Sequence, residues 1–150
     1  MSATSILKRL ARTGAGCALL VALGAAAPAG LQVSGGWFRS LPPPIPAAGY
    51  FTLHNTGDQA AVLVGADSPA CGSLMLHRSI HKGGTDQMVM VEKVTVPAHG
   101  AVHFAPGGYH LMCMQPNATM KHGAMVPVTL EFSDGASLAA SFAVRNARGQ

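Results

Sequence analysis

From Leu31 onward the chain breaks into strand-length apolar or alternating runs, each ending at a cluster of turn residues. AGYFTLHN, AAVLVGAD, SLMLHRS, MVMVEKV, AVHFA, YHLMCM, VPVTLEF and SLAASFAV are bounded by NTGD, SPACG, HKGGTD, PAHG, APGG and SDG. No amphipathic helical period of useful length lies between them. Together with Leu31 to Val33 they make about nine short strands, which predicts an all-β Greek-key sandwich or barrel. SDG at 133–135 reads as a hairpin turn joining the last two strands. The segment holding Trp37, Pro42, Pro43, Pro44 and Pro46 is read as neither helix nor central strand, because proline lacks the N–H both require. Trp37 is expected as a core anchor. No internal repeat is visible, and the terminal ARGQ is expected to fray.

The first 29 residues do not share this pattern. Lys8, Arg9 and Arg12 precede an uncharged apolar stretch from Gly14 to Ala27, and Ala27-Pro28-Ala29 then supplies small residues. That order predicts a signal peptide over 1–29, cut after Ala29, and a single domain over 30–150. The apolar stretch is too short to span a bilayer, so no stable membrane insertion is expected after cleavage. Cys17 lies ahead of most of the apolar run, with Gly14 where a lipobox wants a Leu-like residue, so cleavage is favoured over lipidation.

Export changes what the charge means. The whole chain carries +4, but the leader takes three of the ten basic side chains and none of the six acidic ones, leaving about +1. The basic balance belongs to the export signal and gives no reason to expect nucleic acid as a partner. A periplasmic destination is oxidising. The two cysteines left, Cys71 and Cys113, are therefore expected as one disulfide in preference to two free thiols.

The unusual chemistry sits in GGYHLMCMQP, residues 107–116. In a strand, alternate residues share a face, so His110, Met112 and Met114 point together and Cys113 points the other way. Met75 pairs with His77 in the same manner, and Met88 with Met90. Methionine is commonly a core filler, and Met75, Met90 and Met114 are expected to pack in that role. Histidine fills a core poorly because its ring nitrogens need partners. A face that mixes imidazole and thioether therefore points to a soft metal, and with no carboxylate among the donors Cu(I) fits better than zinc. A blue-copper centre is disfavoured, since Cys113 faces away and the downstream Cys-His-Met order is missing.

His77, ten residues, Met88, twenty-one residues, His110, one residue, Met112 is a spacing that resembles the H-x10-M-x21-H-x-M signature of the periplasmic copper chaperones called PCuAC. The similarity runs from about Gln32 to Val144 and includes AAGYFTLHN, GADSPA, VPAHGAVHFAPGGYHLMCM and VTLEFSDG. The resemblance implies a cupredoxin-like β-barrel that binds one Cu(I) through His77, Met88, His110 and Met112. It also implies transfer toward the copper centre of a haem-copper (cytochrome c) oxidase, directly or through a thiol-disulfide copper-transfer partner.

His81 on a Gly-rich loop, and the loop pair Met120 and His122, are candidates for auxiliary copper contacts. His54, His99 and His103 lack a methionine partner at metal spacing and are expected to be structural or solvated. No acid–base pair or activated nucleophile is recognisable, so an enzyme is not expected. A monomer is expected. The rival readings are a periplasmic copper storage or resistance protein, and a non-metal Ig-like assembly domain whose methionines only pack.

Overall fold

A computed structural model describes residues 28–150; the leader expected over 1–29 lies, but for its last two residues, outside them. The described residues form ten strands and no helix. In chain order they are β1 (Leu31–Arg39), β2 (Ala47–Asn55), β3 (Ala61–Asp67), β4 (Ser73–Lys82) and β5 (Thr85–Met90), then β6 (Val94–Val96), β7 (Gly100–Phe104), β8 (Tyr109–Met114), β9 (Met125–Phe132) and β10 (Ser137–Arg145). They hydrogen-bond in the order β5-β4-β8-β7-β2-β1-β10-β9-β3-β6, and β8 also pairs with β2.

The alternation of the sequence builds the core. Phe51 and Leu53 of β2, Leu74 and Leu76 of β4, and Leu111 and Cys113 of β8 point inward. They meet Leu63 of β3, Val126, Val128 and Leu130 of β9, and Phe142 of β10 in one buried cluster. Phe142 lies 5.5 Å from Phe38 and 5.4 Å from Phe51 between ring centres, joining the two halves of the sheet. Gly49 is required where β2 passes this packing: a Cβ there would stand 2.7 Å from the Phe38 ring.

The loops flanking β4 and β8 are held by side-chain hydrogen bonds. Ser68 is buried, and its hydroxyl donates to the Pro127 carbonyl at 2.7 Å and accepts from the Ala70 N–H at 3.2 Å. Asn117 donates to the Pro69 carbonyl at 2.7 Å, tying the segment before β4 to the segment after β8. Between these anchors Cys71 and Cys113 form the expected disulfide, with Cα atoms 5.4 Å apart.

Several expectations need correction. β1 does not stop at Val33; it continues to Arg39 across a register shift between Ser34 and Trp37, made possible by Gly35 at φ +62°. MVMVEKV is not one strand. It ends β5 at one edge of the sheet and supplies β6 at the other, so the strands number ten and not about nine. Trp37 is not a core anchor: it sits on the outer face, 4.9 Å from Tyr50, with the guanidinium of Arg145 4.9 Å and that of Arg39 5.7 Å from its ring. The SDG hairpin turn is present, with Gly135 at φ +84° between β9 and β10.

Candidate metal centre

Strand β4 lies between β5 and β8, and the register brings the soft residues side by side. Across β4 and β8, His77 faces His110 and Met75 faces Met112; across β4 and β5, His77 faces Met90 and Ser79 faces Met88. Cross-strand partners share a face. Leu74, Leu76, Leu111 and Cys113 take the core side, so Met75, His77, Met88, Met90, His110, Met112 and Met114 all lie on the outer side.

The two imidazoles form the centre of this face. Their ring centres are 5.7 Å apart in an edge-to-face arrangement. A metal–nitrogen bond of about 2.0–2.1 Å, added to the radius of the ring, puts each ring centre about 3 Å from a shared ion. The observed separation therefore accommodates one ion between the two rings.

Both rings have a nitrogen that the protein leaves unused. His77 Nδ1 and His110 Nε2 are buried and have no hydrogen-bond partner. Buried polar atoms are nearly always paired, so these two ring nitrogens are open to a partner from outside the chain. On His110 the other nitrogen is committed: Nδ1–H donates to the Gly108 carbonyl at 3.2 Å. That bond fixes the tautomer and leaves the Nε2 lone pair free, as an outer hydrogen bond does for a metal-ligating histidine. Tyr50 packs beside His110 at 6.5 Å between ring centres and carries the Arg39 guanidinium 5.4 Å above its own ring. This aromatic wall helps bury His110, which is 3% exposed.

Burial, and then the neighbouring His110, push the pKa of His77 below its ordinary 6.5. The neutral, ligating form is thereby favoured. Among the described residues no three His, Cys, Asp or Glu side chains gather as a metal site. The soft side chains nearest to this pair in register are thioethers, those of Met75, Met90 and Met112. Two imidazoles ringed by thioethers, without a carboxylate, make a neutral donor set suited to Cu(I).

The thioethers differ in exposure. Met75, Met112 and Met114 are half-buried, while Met88 is 63% and Met90 68% exposed. Met75, Met90 and Met114 therefore do not pack inside the core as expected. Met88 lies within β5, the edge strand, diagonal to His77.

Of the auxiliary candidates, His81 shares the outer face of β4 with His77 and Ser79. His81 belongs to the end of β4, not to a loop, and its Nδ1 donates to the Asp86 carboxylate at 2.8 Å. Met120 is buried in the hydrophobic core and His122 lies exposed on the loop before β9. His54, His99 and His103 have surface partners instead: Ser34 at 2.8 Å, Asp58 at 2.7 Å and Thr52 at 3.0 Å. Tyr50 had no signal in the spacing, since it reaches His110 from a strand whose neighbours a sequence does not declare, and the Gly108 carbonyl becomes a partner only through the geometry of the turn before β8.

Comparison with known proteins agrees with this architecture. A putative lipoprotein of Leifsonia xyli subsp. xyli ("Putative lipoprotein Lxx21020") is 35% identical over 139 residues, covering 89% of this chain and 83% of that one. The solution structure of CuI-DR1885 from Deinococcus radiodurans is 36% identical with a TM-score of 0.63, over 82% of this chain and 83% of that chain. The copper-bound PCuAC domain from PmoF2, at 21% identity, shares the fold with a TM-score of 0.65 over 83% of this chain and 99% of that chain. Residues 31–144 match the family described as "LpqE-like: Putative lipoprotein LpqE-like", and the chain belongs to that family, with the fold of the PCuAC domains.

Proposed function

We propose that the protein is an exported Cu(I) metallochaperone, not an enzyme, that holds one cuprous ion with His77, Met88, His110 and Met112. The observation that carries this reading is the pair of buried, partnerless imidazole nitrogens facing each other on a thioether-lined surface. The Cu(I)-loaded Deinococcus structure and the copper-bound PmoF2 domain support it. All four donors are neutral, so the ion's charge stays uncancelled and the thioethers can be displaced one at a time. A partner's thiolate or imidazole would take their place, which suits delivery better than permanent capture. The recipient in this reading is the copper centre of a haem-copper oxidase, reached directly or through a thiol-disulfide partner in the periplasm.

The test is an anaerobic Cu(I) titration of the mature protein against a competing chelator. One equivalent should bind, and replacing His77 and His110 together by apolar residues should abolish uptake; unchanged affinity in that double variant removes the site. Delivery is tested separately in a deletion strain. Undiminished oxidase activity there would favour storage or resistance over delivery.

A further inference from the structure

The β4–β5 pairing carries more than the four-residue spacing shows. The Val91 N–H donates to the Leu76 carbonyl at 2.9 Å, which makes Leu76 and Val91 a hydrogen-bonded pair. In an antiparallel ladder the pairs alternate, so His77 and Met90, the next pair along, do not exchange backbone hydrogen bonds. Such pairs have Cα atoms about 4.5 Å apart and the closest side chains. On the other side, the Ser79 N–H donates to the Gly108 carbonyl at 3.0 Å, which makes His77–His110 a hydrogen-bonded pair of the β4–β8 ladder. The two ladders agree: the backbone of His77 is committed toward β8, and Met90 is its register partner on β5.

Met88 has a different position. Its direct partner is Ser79, and it reaches His77 only along the diagonal, where Cα atoms are about 7–8 Å apart. Met90 is the thioether closest in register to the ring, it is 68% exposed, and it does no core packing. Because β5 is the edge of the sheet, both sulfurs also stand where a partner can approach.

We infer that Met90, which lies outside the four-residue spacing, is a Cu(I) ligand of this site, and that Met88 and Met90 are alternative sulfur donors at the edge strand through which the ion is passed out. The inference rests on the Cu(I) reading above. With Met90 bound, the ion sits against His77 and His110; with Met88 bound, it moves one step along β5 toward the β4–β5 turn. The exchange is a substitution of one neutral thioether for another, with no change in charge or oxidation state.

The test uses the mature protein labelled with ¹³C at its methionine methyls, titrated anaerobically with Cu(I), beside the Met88→Leu, Met90→Leu and doubly substituted variants. The Met90 methyl should shift within the first equivalent, together with those of Met88 and Met112. Met90→Leu should lower Cu(I) affinity about ten-fold, the order seen when a metal site loses a supporting group. The double variant should lose more than either single one. Because both residues are exposed, the variants should melt like the wild type, which separates a ligand effect from misfolding. A Met90 methyl that stays in place, or a Met90→Leu variant with wild-type affinity, overturns the inference while the His77–His110–Met112 site stands. A wild-type protein that takes up no Cu(I) overturns the inference and the reading beneath it together.

Discussion

Each of the two facing histidines is an unfavourable choice for stability alone. A buried imidazole nitrogen without a partner forfeits hydrogen bonds it would make in water. The apo protein should show this as a pH dependence. Since the pKa of folded His77 lies below 6.5, the unfolded chain takes up a proton first as the pH falls. Apo stability should therefore decline as the pH drops below 6.5, level off once folded His77 is itself protonated, and have no slope from this residue above that range. Urea unfolding across about pH 7.5 to 5, with the His77 ring followed by NMR, checks it; a ring midpoint at or above the usual 6.5 contradicts the environment described. Met112 gives the complementary case. Met112→Leu is nearly volume-conserving and should cost under about 1.5 kcal/mol of apo stability, while clearly weakening Cu(I) binding in a chelator competition. The shared outward face of His110 and Met112, and of Met75 and His77, was legible because the period of two is a local property. The free nitrogen of His110 was not, because it depends on the Gly108 carbonyl in the turn before β8 and on Tyr50 from another strand.

Strand β8 is where the chemistry and the covalent framework meet. Its outward residues carry His110 and Met112, and its inward Cys113 is bridged to Cys71 across a separation of 42 residues. On the chain-entropy account, closing a loop of that length stabilises the fold by about 4 kcal/mol. Replacing both cysteines by serine or alanine should remove most of that, read as a lower urea midpoint, and a loss well under 1 kcal/mol would show that the bridge is not a main constraint on the unfolded chain. The strand itself was readable because HLMCM alternates without a break. β1 was read short because Gly35 and Gly36 look like a turn, and only the bulge geometry shows the strand carrying on to Arg39. β5 and β6 were merged for the opposite reason. Continuous apolar residues hide the point at which the chain leaves one sheet edge for the other.

Across the molecule, two populations of apolar side chain occupy opposite sides of the same sheet. Phe, Leu and Val fill the interior, and methionine covers much of the outer side of β4, β5 and β8. The all-β class followed from run lengths and turns, whereas which strand neighbours which did not, since pairing between distant segments leaves no local trace. The start of the mature chain is a further matter at this level. Gly30 adopts φ +83°, and its carbonyl accepts from the Thr56 N–H at 2.8 Å, so a cut after Ala29 leaves this contact intact at the head of β1. N-terminal sequencing of the exported protein should begin at Gly30; a chain beginning at a lipid-modified Cys17 would refute that cleavage. The alternation along β8 has one more consequence. Sliding this strand by a single position would turn His110 and Met112 inward and Cys113 out to solvent, exchanging donors for grease. The bond to Cys71 opposes that slip, so the bridge locks the alignment of β8 in which His110 and Met112 face outward.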